Sequence, residues 1–338
     1  MNENKIILFW SIYDSEKDYN YNDWINKKIN ISGFHLLSLT AHVKLKNDVT
    51  LYSYQEFNEG QIPKGIKIKN ANTVFSAKKV FEALSKGHNI AHISDVVRLT
   101  VANNSNGIVL DMDAICLKKL PNIESYYGSM PAKLSGGVAP KWGKSHPPLP
   151  IFDNSWNGKA LFMFPIKINN EIKKDIDNLI DKIKKTLEVD PKKTSKAWNY
   201  VMWGVKDTIK KNPKAKVFEP IYFCPLTAWL RKGNCYSLES PTRLNGVTEK
   251  FGVRFPSIKE IFEKSITIQH FFESAGNLDG GYGVTSKSLN KTNKNFWLDL
   301  GEDSLLAKEA QYIIGDNWRV FLNEREIKNK TYINERAS

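Results

Sequence analysis

The chain has 338 residues, 41% of them hydrophobic and 25% charged, an ordinary globular balance with enough apolar material for one or two domains. No apolar run reaches the ~18 residues a membrane span needs, and the apolar start Ile6–Trp10 is too short for a signal peptide, so a cytoplasmic protein is expected. Lys+Arg is 49 against Asp+Glu 36, a net charge of +13; this favours anionic partners (nucleic acid, anionic lipid or an anionic glycan), unless it is only a lysine-rich composition.

Cys116, Cys224 and Cys235 are odd in number, far apart and outside any CxxC pattern. That reads as reduced, buried thiols rather than a disulfide framework or zinc site.

In chain order, Ile6 to Trp10 is a short apolar run that predicts a buried first strand. Trp24 to His42 carries apolar residues at helical spacing, broken near Ser32-Gly33, and Val49 to Tyr54 alternates as a strand. Gly65 to Lys69 is a further candidate strand. Ser76 is a candidate N-cap for a helix to about Ser85. His92 to Asn103 predicts a second strong helix, and Asn103-Asn-Ser-Asn-Gly107 a tight turn. Ile108 to Met112 then reads as a fully apolar strand. Beyond a Pro/Gly-rich stretch from Gly136 to Pro150, Asn169 to Leu187 predicts a basic amphipathic helix. Asn212 to Pro225 reads as strand-like, Ile266 to Phe272 likewise, and Glu302 to Tyr312 as a C-terminal helix. Alternating strands and helices around an apolar central strand predict an α/β fold with a mostly parallel central sheet flanked by helices.

Asp111 and Asp113 stand out where that central strand ends. Two carboxylates at i, i+2 on a strand exit can hold a hard divalent cation, with the diphosphate of a nucleotide completing the shell. The alternative is a solvated acidic turn.

The composite of Ser94-Asp95-Val-Val-Arg98, a fixed gap, Gly107-Ile-Val-Leu-Asp111-Met-Asp113 and Cys116-Leu-Lys-Lys-Leu120 resembles the DXD-containing nucleotide-sugar glycosyltransferases. These are the relatives of capsular-polysaccharide transferases, yeast initiating mannosyltransferases and clostridial glucosylating toxins. Phe9-Trp10, Leu36 to His42, Leu51-Tyr-Ser-Tyr54 and Asn70-Ala-Asn72 extend the resemblance over the first 120 residues; beyond about residue 130 it is weak. There are departures. Asn106 replaces the first of two usual glycines, a change the turn survives because Asn tolerates the left-handed conformation, and Val109 replaces an aromatic.

The resemblance implies a GT-A-type nucleotide-diphospho-sugar transferase fold. It divides the chain into residues 1–130, a nucleotide-sugar-binding half, and residues 131–338, the acceptor-binding and C-terminal part of the same catalytic domain. It implies a nucleotide-diphosphate sugar as donor, Mn²⁺ or Mg²⁺ as cofactor and retention of anomeric configuration. Asp113 is then the expected direct metal ligand, and Asp111 a contact to the ribose or, through water, to the metal. Asp95 and Arg98, three apart on one helix face, are expected at the donor sugar, unless they are a surface ion pair. Trp10 is expected to stack on the donor base, or else to be core. His270 is a further candidate metal ligand, imidazole suiting Mn²⁺ better than Mg²⁺. Asn157, in Asn154-Ser-Trp-Asn157-Gly158, or the preceding Asp153 is a candidate to stabilise the reacting sugar. Arg254, Lys287 and Lys291 are candidate helpers of the leaving diphosphate.

The expected acceptor is a glycan or lipid-linked glycan. A DNA-modifying sugar transferase acting on hydroxymethylated bases is the alternative, suggested by the positive charge and the lysines between Lys173 and Lys196. A non-catalytic nucleic-acid-binding protein and a transferase acting on a host protein are weaker readings, the former without any helix-turn-helix, zinc or OB-type signature.

Overall fold

The structure is a computed structural model; it describes residues 4–13, 20–130, 161–189, 216–218, 220–223, 258–269, 296–302 and 305–325. Among these, strands β1 (Lys5–Phe9), β2 (Asp48–Ser53), β3 (Lys67–Asn70) and β4 (Ile108–Val109) lead into β5 (Ala114–Cys116) and β6 (Tyr126–Met130). Strands β7 (Leu161–Lys167), β8 (Lys216–Val217) and β9 (Thr267–Gln269) follow. The helices are α1 (Tyr21–Asn26), α2 (Gly33–Lys44), α3 (Ala77–Ser85), α4 (Ile90–Ser105), α5 (Lys173–Glu188), α6 (Pro220–Phe223), α7 (Ile258–Lys264), α8 (Phe296–Asp299) and α9 (Leu305–Ile314).

Seven strands form one sheet in the order β3-β2-β1-β4-β7-β6-β8. The half made by β3, β2, β1 and β4 is parallel throughout. β7 joins β4 and β6 antiparallel, and β8 joins β6 parallel. Strands β5 and β9 make a separate antiparallel pair.

The pleat divides the core in two, because successive strand side chains point to opposite faces. Ile6, Leu8, Val49, Leu51, Ile108 and Leu110 face a cluster built with α2 and α9. Ile7, Phe9, Tyr52 and Val109 face a second cluster with α3, α4 and α5. With both faces covered, β2 is buried over five of its six residues rather than alternating, as parallel sheets generally are. α2 lies between the sheet and α9, so it is buried nearly all round, His35 and His42 included.

Local chemistry sets the boundaries. Ser32 caps α2 by accepting from the His35 N–H at 3.3 Å. Asn89 caps α4, accepting from the Ala91 N–H at 2.8 Å. Asn106 ends α4 in the left-handed region (φ 51°, ψ 39°), as its replacement of a glycine requires. The Gly107 N–H then returns to the Ala102 carbonyl at 2.9 Å. Gly107 itself passes close to β1: a Cβ there would meet the Lys5 carbonyl oxygen at 3.2 Å and the Ile7 side chain at 3.3 Å.

Four expectations need correction. The strand expected over Ile108–Met112 pairs only at Ile108 and Val109, because the chain turns at the acidic pair to reach the second sheet. Within Asn212–Pro225 the described residues hold the strand Lys216–Val217 and then the helix α6 at Pro220–Phe223, where strand was expected. The two ends of that stretch pack on different partners, β6 and β9. The helix expected from Asn169 starts at Lys173. Its exposed face is of mixed charge rather than basic, since Lys174, Lys182 and Lys185 alternate with Asp177, Asp181 and Glu188. The C-terminal helix starts at Leu305 rather than Glu302. No helix among the described residues is long and apolar enough to cross a membrane.

Candidate active site

The carboxyl ends of β1, β2 and β4 lie side by side, and the acidic pair stands there, where open α/β sheets bind ligands. Leu110 still bonds to the sheet, its N–H donating to the Ile7 carbonyl at 3.3 Å. Asp111, Met112 and Asp113 then form a turn closed by the Ala114 N–H on the Asp111 carbonyl at 3.2 Å. Ala114 starts β5, and its carbonyl accepts from the buried Ser38 hydroxyl of α2 at 2.8 Å. The turn thus bridges the two sheets and is fastened on both sides.

Arg98 holds the first carboxylate. Its Nη1 donates to the Leu110 carbonyl at 2.7 Å and also to Asp111 Oδ1. Its Nη2 donates to Asp95 Oδ1 at 2.9 Å. The Arg98 side chain is 5% exposed and that of Asp95 11%, so this is a buried ion pair and not a surface one. Asp111 remains 22% exposed, open to the solvent side. Burial pushes the Asp95 carboxyl up to about 7, against the pull of the Arg98 guanidinium and with the Asp111 charge adding to the rise. Burial pulls the other way on Arg98, but the Asp111 and Asp95 carboxylates outweigh it and hold the guanidinium above its ordinary value.

Asp113 is buried, and its Oδ1 accepts from the Gln269 amide Nε2. Gln269 stands opposite Ala114 in the register of β5 with β9, which brings it beside the residue before Ala114. β9 is itself anchored: the Thr267 hydroxyl donates to the Phe223 carbonyl at 3.0 Å, and the Ser265 hydroxyl to the Ile221 carbonyl at 2.6 Å.

Trp10 follows β1, its N–H on the Tyr52 carbonyl at 2.9 Å. Its ring is half-buried against His35, centroids 4.1 Å apart, and His35 Nδ1 lies 2.7 Å from the Ser32 hydroxyl. One face of the Trp10 ring is therefore backed by protein. The following loop is braced by buried Gln55, which accepts from the Ile12 N–H at 3.0 Å and donates to the Ile12 carbonyl at 3.0 Å. Tyr52 and Tyr54 are core residues.

The structure thus brings Trp10, Asp95, Arg98, Asp111 and Asp113 to one edge of the sheet. Asp153, Asn157, His270, Arg254, Lys287 and Lys291 lie outside the described residues. Ser38 and Gln269 are the site residues that the sequence reading missed. The period-2 run Thr267-Ile-Gln269 carried a faint signal, two polar residues on one face of an otherwise apolar strand. Of the cysteines, Cys116 is a free, buried thiol, and burial pushes its pKa up; Cys224 and Cys235 lie outside the described residues.

The donor set suits a hard cation. Two carboxylates are held in one turn by a guanidinium and an amide, and among the described residues no third acidic, histidine or cysteine ligand joins them. Mg²⁺ and Mn²⁺ sites of this kind use one or two protein carboxylates and take the remaining oxygens from substrate phosphate and water.

Residues 6–130 match the family described as the glycosyltransferase sugar-binding region containing a DXD motif. Within this matched stretch Asp111-Met112-Asp113 stands as the DXD, at the edge of a mostly parallel sheet flanked by helices. No curated protein matches the chain. A solved structure titled "PaToxG Glycosyltransferase" is 13% identical over 78% of this chain and 88% of its own, with a TM-score of 0.37, a likeness too slight to argue from.

Proposed function

We propose that this glycosyltransferase is metal-dependent, and that it moves a sugar from a nucleotide-diphosphate donor to an acceptor hydroxyl of a glycan or lipid-linked glycan. The observation that carries this is the acidic turn at the carboxyl edge of the parallel strands, one carboxylate held by Arg98 and the other by Gln269.

In this reading Asp113 and Asp111 hold Mn²⁺ or Mg²⁺, Asp111 through water or alongside the ribose. When bound there, such an ion would supply positive charge against the leaving diphosphate. Arg98 is a positioning residue for Asp111, and Asp95 faces the sugar hydroxyls as an acceptor. Trp10, backed by His35, offers its outer face to the nucleotide base, a contact worth ~1–3 kcal/mol. In the transfer the bond from the anomeric carbon to the diphosphate oxygen breaks, and the bond from that carbon to the acceptor oxygen forms. The acceptor proton leaves to solvent or to the departing phosphate. Asp153 or Asn157 is proposed to stabilise the oxocarbenium-like centre, and His270 to join the cation. Retention of configuration is proposed from the resemblance to retaining enzymes.

A panel of nucleotide sugars, each with and without Mn²⁺, tests this by thermal shift. A donor that raises the melting temperature only in the presence of the metal is expected. If no donor shifts the protein at any metal concentration, the proposal fails.

A further inference from the structure

Gln269 has two amide ends beside the acidic turn, and among the described residues only one of them is used. Its Nε2 donates to Asp113 Oδ1. Its Oε1 is buried and has no hydrogen-bond partner among the described residues. The residue is 3% exposed, so bulk water does not compensate, and a buried acceptor left without a donor is destabilising. The two ends of an amide are held a bond angle apart. The lone carbonyl oxygen is therefore fixed in the neighbourhood of the Asp113 carboxylate, where it adds negative potential to a site that already carries two acids. A protein group that donates to this oxygen would relieve the cost; among the described residues none does. A divalent cation on the turn would relieve it equally, since amide carbonyl oxygens are ordinary ligands for hard cations.

We propose that Gln269 both orients Asp113 and supplies a third oxygen to a divalent cation held by the Asp111–Asp113 turn. This rests on the metal-dependent reading above. Nothing in the sequence resemblance assigns Gln269 a role. Its assignment comes from the register of β9 against β5, which places it next to Asp113 from the far end of the chain. The second sheet then has a function: it carries a ligand to the site.

The test is manganese binding by the full-length chain without donor or acceptor, followed by the loss of the free Mn²⁺ electron paramagnetic resonance signal. The chains compared are the wild type, D113N, Q269M and Q269E, with melting temperatures measured alongside. Methionine matches the length of the glutamine but removes both amide ends; glutamate keeps an oxygen. Wild type is expected to bind, and D113N to lose binding. Q269M should bind manganese about 10–100-fold more weakly, the usual cost of losing a partner around a metal. Q269E should bind at least about tenfold more tightly than Q269M. Q269M affinity within about threefold of wild type, or Q269E as weak as Q269M, overturns the proposal while leaving the acidic turn as a metal site. If Q269M does not fold, Q269E decides alone: binding near wild type supports the proposal, and a loss of about tenfold or more overturns it. A wild-type chain that takes up no manganese overturns the metal reading itself, and this inference with it.

Discussion

Arg98 grips Asp111 across a separation of 13 residues, and the same Nη1 also holds the Leu110 carbonyl at 2.7 Å. One guanidinium nitrogen therefore fixes both the backbone and the side chain at the point where the chain leaves the main sheet. Nη2 meanwhile ties the arrangement to Asp95 on its own helix.

Replacing Arg98 should be costly to the fold. Arg98→Met leaves two carboxylates without their cation, and breaking a buried pair in this way costs about 3–5 kcal/mol. Arg98→Lys should recover little, because a lysine presents one nitrogen where the fork reaches three acceptors. Urea unfolding of the two variants against wild type measures this; a Lys variant of wild-type stability would contradict the geometry.

The acids themselves should matter for chemistry more than for folding. Asp113→Asn and Asp111→Asn keep the side-chain shape, and each should reduce sugar transfer by a hundredfold or more, corresponding to several kcal/mol of lost cation stabilisation. Folding should change much less for Asp113→Asn, whose asparagine can still accept from Gln269. Donor turnover at saturating Mn²⁺, with melting temperatures in parallel, separates the two effects.

The two buried histidines of α2 should make the protein acid-labile. Burial lowers His35 to about 3 and His42 to about 4, from 6.5. Both are neutral in the fold and take up protons once unfolded. Their contribution is complete above pH 6.5 and is lost as the pH falls toward 4 and then 3. His42→Gln cannot titrate, so its stability should fall less steeply between pH 6.5 and 4. Chemical denaturation at pH 7, 5.5 and 4.5 checks the slope.

Asp95 acts with the opposite sign. Its carboxyl is raised to about 7 from an ordinary value near 3.8. Its contribution to stability is fully present below 3.8 and is lost as the pH rises through 7. Asp95→Asn removes that dependence, so the variant should gain on wild type between pH 4 and 8. A constant difference across the range would show that Asp95 is charged throughout.

Much of this site was legible along the sequence because its signals are local. The apolar run of β1, the amphipathic α4, the left-handed Asn106 before Gly107 and the Asp111–Asp113 pair all sit within short windows whose periods and turn residues can be read directly. The rest depends on contacts between distant parts of the chain. Nothing near Asp113 announces Gln269, and nothing near Ala114 announces Ser38. In the sequence Arg98 reads as a donor-sugar residue beside Asp95, or else its surface partner, and its grip on Asp111 emerges only in the fold. β8 and α6 are too short for a periodic signal, so their form is decided by what they pack on. The charge of α5 was misread because counting its lysines ignored the acids interleaved with them.

The amide that fastens Asp113 arrives late. The two residues are 156 positions apart, so on the ribosome the first strands and the acidic turn are synthesised well before β9. Domains that fold during synthesis pass through such half-finished states. Here the half-finished state lacks the Gln269 amide on Asp113, so this contact across the second sheet is among the last to form.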